Sequence, residues 1–184
     1  MRLFVGLSLP GVIADALQWL QGGVPGARWQ RREQLHLTLR FIGEADGTGT
    51  GAIIDALAGI DAPGFDLTLH GVGQFGNNKV NSIWAGARPN PALDHLQRKV
   101  DGAIRRAGQP QDAYKFMPHV TLARMRHPDM ERLRDWLSHN GLYTSAPFAV
   151  RDFHLYSSHQ TDQGSLYRVE QDFPLRTYYD QAGD

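Results

Sequence analysis

The strongest constraint on this chain is an internal echo. His36-Leu37-Thr38-Leu39 returns as His119-Val120-Thr121-Leu122, 83 positions later. At the same offset Phe65 meets Phe148, Ile83 meets Leu166, Trp84 meets Tyr167 and Ile54 meets Leu137. Ahead of the motifs, Ile13 meets Leu96 and Leu17 meets Val100. Apolar matches alone arise by chance. A common register of His, Thr, Leu and large aromatics arises far less readily, since composition alone supplies only about 0.35 H-x-T triplets. Two long units do not make a solenoid. They predict an α+β fold in a single domain, 1–184. Two similar lobes, each a mostly antiparallel sheet with helices on its outer face, are related by a pseudo-two-fold around a central cleft.

Local patterning agrees with alternating elements. Residues 2–9 read as a strand. Pro10 opens a helix over 11–21, with Ile13, Leu17 and Leu20 at helical spacing. Leu35 to Ile42 is a strand. The segment 51–60 is helical, with Ile53, Ile54 and Leu57 on one side, and the preceding "GEADGTGTG" reads as loop because of its glycines. "FDLTLHGVGQF" and "VNSIWAGA" are strands joined by the turn-prone "GNNK". Pro91 opens a helix with Leu93, Leu96, Val100 and Ile104 inward, stopped by Gly108. "MPHVTLAR" is a strand, and Pro128 opens a helix with Met130, Leu133 and Leu137 inward. "FAVRDFHLYSS" and "SLYRVEQDF" complete the order, and the last few residues are expected to fray.

Composition narrows the chemistry. There is no cysteine, which excludes disulfides, thiolate nucleophiles and Cys-ligated zinc. Lys plus Arg equals Asp plus Glu, 19 each, so a nucleic-acid substrate would need a local basic pocket. No apolar run is long enough to cross a bilayer. The opening "MRLFVGLSLPGVIADA" has an Arg, an apolar stretch and an A-x-A. As a leader it would be very short and broken by Pro10 and Gly11, so Leu3–Leu9 is read as a core strand and the protein as cytoplasmic. A monomer is expected.

Alternate strand residues face one side. His36 and Thr38 therefore point together, as do His119 and Thr121, with Leu37, Leu39, Val120 and Leu122 behind them. Side chains two apart on a strand lie about 7 Å apart, close enough to share one phosphate-sized group. Two imidazoles can hold opposite protonation states near neutrality, as in-line phosphoryl transfer without a metal requires. The Thr hydroxyls, and Arg124 if it turns inward, would hold the non-bridging oxygens.

The paired H-x-T-x motifs resemble the 2H phosphoesterase superfamily. "RLFVGLSLP", "LHLTLRFIGE", "FDLTLHGVGQF", "IWAGA", "PHVTLAR" and "FHLYSS" are similar, in order and approximate spacing, to its RNA 2',3'-cyclic phosphodiesterases, also called 2'-5' RNA ligases. The resemblance implies hydrolysis of RNA 2',3'-cyclic phosphate ends to a 2'-phosphate, with no metal and no cofactor. It makes His36 the proton donor to the leaving 3'-oxygen, His119 the base that activates water, and Thr38 and Thr121 the holders of phosphate oxygens. Arg124 matches the Arg of the second motif, whereas Phe41 stands at the equivalent place in the first. The glycine-rich "ADGTGTG" departs from the more charged helix start of the family. Joining a cyclic phosphate end to a 5'-hydroxyl would be the same transfer with an alcohol in place of water.

Plainer readings stand beside these. The histidines could be half-buried strand residues and the threonines simple strand formers. Phe75 is a candidate for stacking a base, or core. Equivalent repeat positions favour packing roles for Trp84 and Tyr167. Arg28, Arg31 and Arg32 with Trp29 form a solvated loop or a contact to RNA backbone. His154 and His159 match no zinc spacing and read as surface or core. A non-catalytic RNA-end binder is the main competitor. A His-ligated metal hydrolase is disfavoured, because the motif strands lack Asp, Glu or Cys partners.

Overall fold

The structure, a computed structural model, describes residues 1–76, 79–112, 114–162 and 164–177. The tip of the "GNNK" turn and the expected frayed tail lie outside these residues. In chain order the elements are β1 (Arg2–Ser8), α1 (Gly11–Trp19), β2 (Ala27–Trp29), a 3-10 turn (Arg32–Gln34), β3 (His36–Glu44), α2 (Gly47–Ala58), β4 (Phe65–Leu67), β5 (Leu69–Phe75), β6 (Ser82–Ala87), α3 (Pro91–Arg106), β7 (His119–Met125), α4 (Met130–Asn140), β8 (Phe148–Val150), β9 (Asp152–Thr161) and β10 (Gly164–Pro174).

The helices form for local reasons. Asn90 Oδ1 accepts from the Ala92 and Leu93 amides at 3.0 and 3.1 Å, Pro91 follows it, and Leu93, Leu96, Val100 and Ile104 are buried. Gly108, at φ 86°, terminates the helix. Asp129 caps α4 on the amides of Glu131 and Arg132, both at 3.1 Å. Two expectations fail here. Met130 is exposed, and Trp136 takes the inward place beside Leu133, donating Nε1–H to the Leu20 carbonyl at 2.8 Å. The glycine-rich stretch also begins a helix earlier than its composition suggests. Asp46 caps it, accepting from the Gly49 amide at 2.7 Å, and Gly47 and Gly49 fall in the first turn, where glycine costs less than in a helix interior.

The principal sheet runs β10-β9-β1-β3-β7-β6-β5, with β2 also on β7; β4 and β8 form a separate pair. Neighbours are antiparallel throughout. At its centre β3 and β7 share only Leu37↔Val120, and β2 then runs along β7. The β3–β7 ladder goes no further than this pair. Leu37 and Val120 are also equivalent in the repeat, as are Asp66 and Ala149, which pair between β4 and β8. Equivalent residues facing each other is what a two-fold axis demands, and these two pairs mark where it passes.

The lobes, however, are not the two sequence halves. The β5–β6 hairpin of the first half builds onto β7 of the second, and β9–β10 of the second builds onto β1 of the first. The spatial counterpart of β6 is therefore β1. The offset that matched Ile83 with Leu166 and Trp84 with Tyr167 compares a strand beside the motif with one three places out.

The core lies on the helix side. Leu3, Val5, Leu7, Leu37, Leu39, Val120 and Leu122 of the sheet meet Leu17, Ile53, Leu57, Leu93, Leu96 and Val100. A cation, Arg40, enters this layer. Arg40, 4% exposed, bonds Asp101 at 2.9 Å, approaches Asp112 at 3.3 Å, and donates to the carbonyls of Phe41 and Pro110. It ties β3 to α3 and to the chain after it. Arg40→Met should lower unfolding free energy by about 3 kcal/mol, because two carboxylates lose their shared partner. Chemical denaturation checks this; an unchanged midpoint would show that the ion pairs contribute nothing net.

Candidate active site

Strand alternation places His36 and Thr38 on one face and Leu37 and Leu39 on the other, and β7 repeats the arrangement. Leu37, Val120 and Leu122 are fully buried, whereas the two His and two Thr are half-buried on the opposite face. The antiparallel pair Leu37↔Val120 sets His36 across from Thr121 and Thr38 across from His119. The four sequence-predicted motif residues are therefore gathered on one surface.

Each imidazole is fixed in the same way. His36 Nδ1 lies 2.7 Å from the Gln34 carbonyl, and His119 Nδ1 lies 2.7 Å from the Met117 carbonyl. A carbonyl only accepts, so each Nδ1 carries the proton. Each neutral ring therefore keeps Nε2 unprotonated and available. Gln34 and Met117 are themselves 83 apart, so the repeat extends to the groups that orient the rings.

Arg124 follows His119 by five, an odd spacing that strict alternation would send to the core side. A bulge corrects it. β6 pairs Trp84 with Thr121 and Ile83 with Ala123, so Leu122 is the extra residue. Ala123 then turns inward at 0% exposure and Arg124 faces solvent. β3 bulges at the equivalent Leu39, between the pairs Gly6↔Thr38 and Val5↔Arg40. There the inward residue is Arg40 and the outward one is Phe41, 55% exposed. The two lobes thus present an arginine and a phenylalanine at the same place.

Missed by the sequence reading, β2 brings Arg28 opposite Arg124. Like charges in register repel. Neither has an ion-pair partner among the described residues. The Arg28 guanidinium lies against Gly164, so close that a Cβ there would collide with it. Arg31 and Arg32 differ: they pair with Glu33 and Asp15.

Aromatic rings frame both histidines. Phe4 stands 4.7 Å from His36, Tyr167 meets it edge-on at 4.9 Å, and Tyr156 lies at 6.0 Å. Phe75 meets His119 edge-on at 4.8 Å, with Trp84 at 6.1 Å. Phe75 thus walls the second imidazole. Trp84 lies over Gly73, where any Cβ would overlap its ring. Trp84 and Tyr167 pack, as expected, but they pack on the motif rings.

These surroundings resist positive charge. Burial lowers His36 to about 4 from 6.5, opposed by the Gln34 carbonyl and reinforced by Arg124 and His119. Burial also lowers His119, with the Met117 carbonyl opposing and Arg124 adding to the fall. His36 senses His119, and both sense the Arg124 guanidinium, which places all three at one locus. Two surface cavities, of about 390 and 350 Å³, are lined by other residues. Among the described residues no three His, Cys, Asp or Glu side chains are grouped to hold a metal ion, and no helix is long and apolar enough to cross a membrane.

Known proteins resemble this chain over most of its length. Residues 10–162 match the 2'-5' RNA ligase superfamily. An RNA 2',3'-cyclic phosphodiesterase of Thermotoga maritima is 30% identical over 178 residues, covering 92% of both chains. One of Archaeoglobus fulgidus is 27% identical over 172 residues, covering 91% of this chain and 97% of that one. The crystal structure of E. coli LigT complexed with 3'-AMP superposes with a TM-score of 0.75 at 26% identity, covering 95% of this chain and 97% of its own. The fold and the paired motifs define a two-histidine phosphoesterase architecture. The chain belongs to the 2'-5' RNA ligase superfamily.

The depressed His36 has a consequence for stability. Below 6.5 the unfolded chain takes up a proton that folded His36 refuses until about 4. Stability is therefore lost as pH falls through that window, by up to roughly 3 kcal/mol. His36→Asn should flatten the decline by that amount in denaturant titrations from pH 7 to pH 4. Parallel curves for the two proteins would contradict the buried, neutral state.

Proposed function

We propose that this chain is a phosphodiesterase that opens RNA 2',3'-cyclic phosphate ends to 2'-phosphates by paired-histidine acid–base catalysis, without a metal. One observation carries the reading: two imidazoles, each held at Nδ1 by an equivalent backbone carbonyl, present free Nε2 atoms on one face beside Arg124. His119 Nε2 takes a proton from the attacking water. His36 Nε2–H donates to the leaving 3'-oxygen. Thr38 and Thr121 donate to the non-bridging oxygens, with Arg124 balancing the charge that develops there. Arg28 extends the cationic surface toward the RNA backbone, and the open face of Phe75 receives a base.

The low proton affinity of the two imidazoles fits this scheme. A phosphodiester anion placed against both rings reverses the electrostatic cost of charging them, so substrate brings the catalytic proton in with it. The names of the relatives, RNA 2',3'-cyclic phosphodiesterases, support the same substrate class. With a 5'-hydroxyl in place of water the site would ligate by the same displacement.

The test is product analysis on an oligonucleotide bearing a 2',3'-cyclic phosphate, in chelator. A 2'-phosphate product is expected, and His36→Ala or His119→Ala should each reduce kcat/KM by about 10³-fold. Binding without turnover would favour an RNA-end binder. Because both histidines titrate below 6.5 in the free protein, kcat/KM should peak on the acid side of that value and fall as pH rises. A maximum above pH 7.5 would contradict the proposed protonation states.

A further inference from the structure

A third histidine shares the motif-bearing face of the sheet, and it is wired differently. On β9, Phe153, Leu155 and Ser157 are fully buried on the core side, and His154 and Tyr156 point the other way. His154 is 7% exposed. Its Nδ1 lies 2.7 Å from Asp172 Oδ1 on β10, and its Nε2 lies 3.1 Å from Ser8 Oγ on β1. A carboxylate only accepts, so Nδ1 carries the proton, and in the neutral ring Nε2 is left to accept from the serine hydroxyl. Asp152 Oδ1 stands 3.4 Å from the same Nε2. Ser8 is exposed and pairs directly with His36 across β1 and β3. The three-residue chain Asp172–His154–Ser8 uses none of the groups assigned to phosphate chemistry.

The geometry points to a second reactive site: Ser8 is a nucleophile toward acyl esters and phosphonyl electrophiles, with His154 as its base and Asp172 as the group that orients the base. The roles and both distances are those of a nucleophile–base–orienter relay. In the step, Ser8 Oγ passes its proton to His154 Nε2 and forms a bond to the acyl carbon. The bond from that carbon to the leaving alkoxide breaks, and His154 returns the proton to the alkoxide. Water, deprotonated by His154, then releases the acid and restores Ser8. Asp172 and Asp152 both stabilise the imidazolium formed midway. Their side chains are 69% and 50% exposed, so water screens them and the acceleration is modest, about 10²-fold over a serine without the relay.

A fluorophosphonate probe tests this directly, since attack forms a stable Oγ–P bond and expels fluoride. Peptide mass spectrometry of the full chain should place the adduct on Ser8. Labelling should vanish in Ser8→Ala, slow by about 100-fold in His154→Gln, and slow by about 10-fold in Asp172→Asn, a surface change that leaves the core untouched. Hydrolysis of p-nitrophenyl acetate should fall in the same order. His119→Ala, on a strand that does not pair with β1, must still take the adduct on Ser8, which separates this site from the phosphodiesterase. An adduct elsewhere, no adduct at Ser8, or equal rates in the wild type and Asp172→Asn would overturn the proposal.

Discussion

The motif face depends on one pair of residues. Leu37 and Val120 are where the two halves of the sheet touch, and they are equivalent in the repeat. Their side chains point into the core at 0% exposure. Their neighbours on each strand must then point the other way, and those neighbours are His36, Thr38, His119 and Thr121. A longer β3–β7 ladder would flatten the sheet, and no pairing would let the lobes drift. A single pair on the pseudo-two-fold axis joins two strands whose polar groups share one face.

Symmetry stops at the bulges. Both motif strands gain one residue after the Thr, at Leu39 and Leu122, and both change parity there. In the second lobe the change brings Arg124 out to the motif face. In the first it sends Arg40 inward to Asp101 and Asp112 and leaves Phe41 outside. One backbone device therefore makes a cationic wall on one side and an aromatic wall on the other. That asymmetry suits a substrate with an anionic phosphate at one end and a flat base at the other.

Much of this was legible in the sequence. The repeat, the motif faces and most helix positions follow from residue spacing, because the 2- and 3.6-residue periods are local properties. The spacing of Arg124 also held a clue: five residues is an odd count, so a shared face with His119 requires a bulge. What could not be read depends on distant partners. β2 is three residues long and exists because β7 offers an edge. The exchange of hairpins between halves is a choice of sheet neighbour that no local pattern encodes. Asp46 overrode the glycines after it, a cap winning over propensity. His154 gave no signal, since Ser8 and Asp172 lie 146 and 18 residues away.

That both imidazoles address one phosphorus can be tested without turnover. Nitrogen NMR of the histidine rings during titration with inorganic phosphate reports each Nε2 separately. His36 and His119 should shift together, with one dissociation constant and one equivalent of phosphate, and both should gain proton affinity as it binds. Independent curves, or a response from only one ring, would mean that the two motifs do not share a ligand.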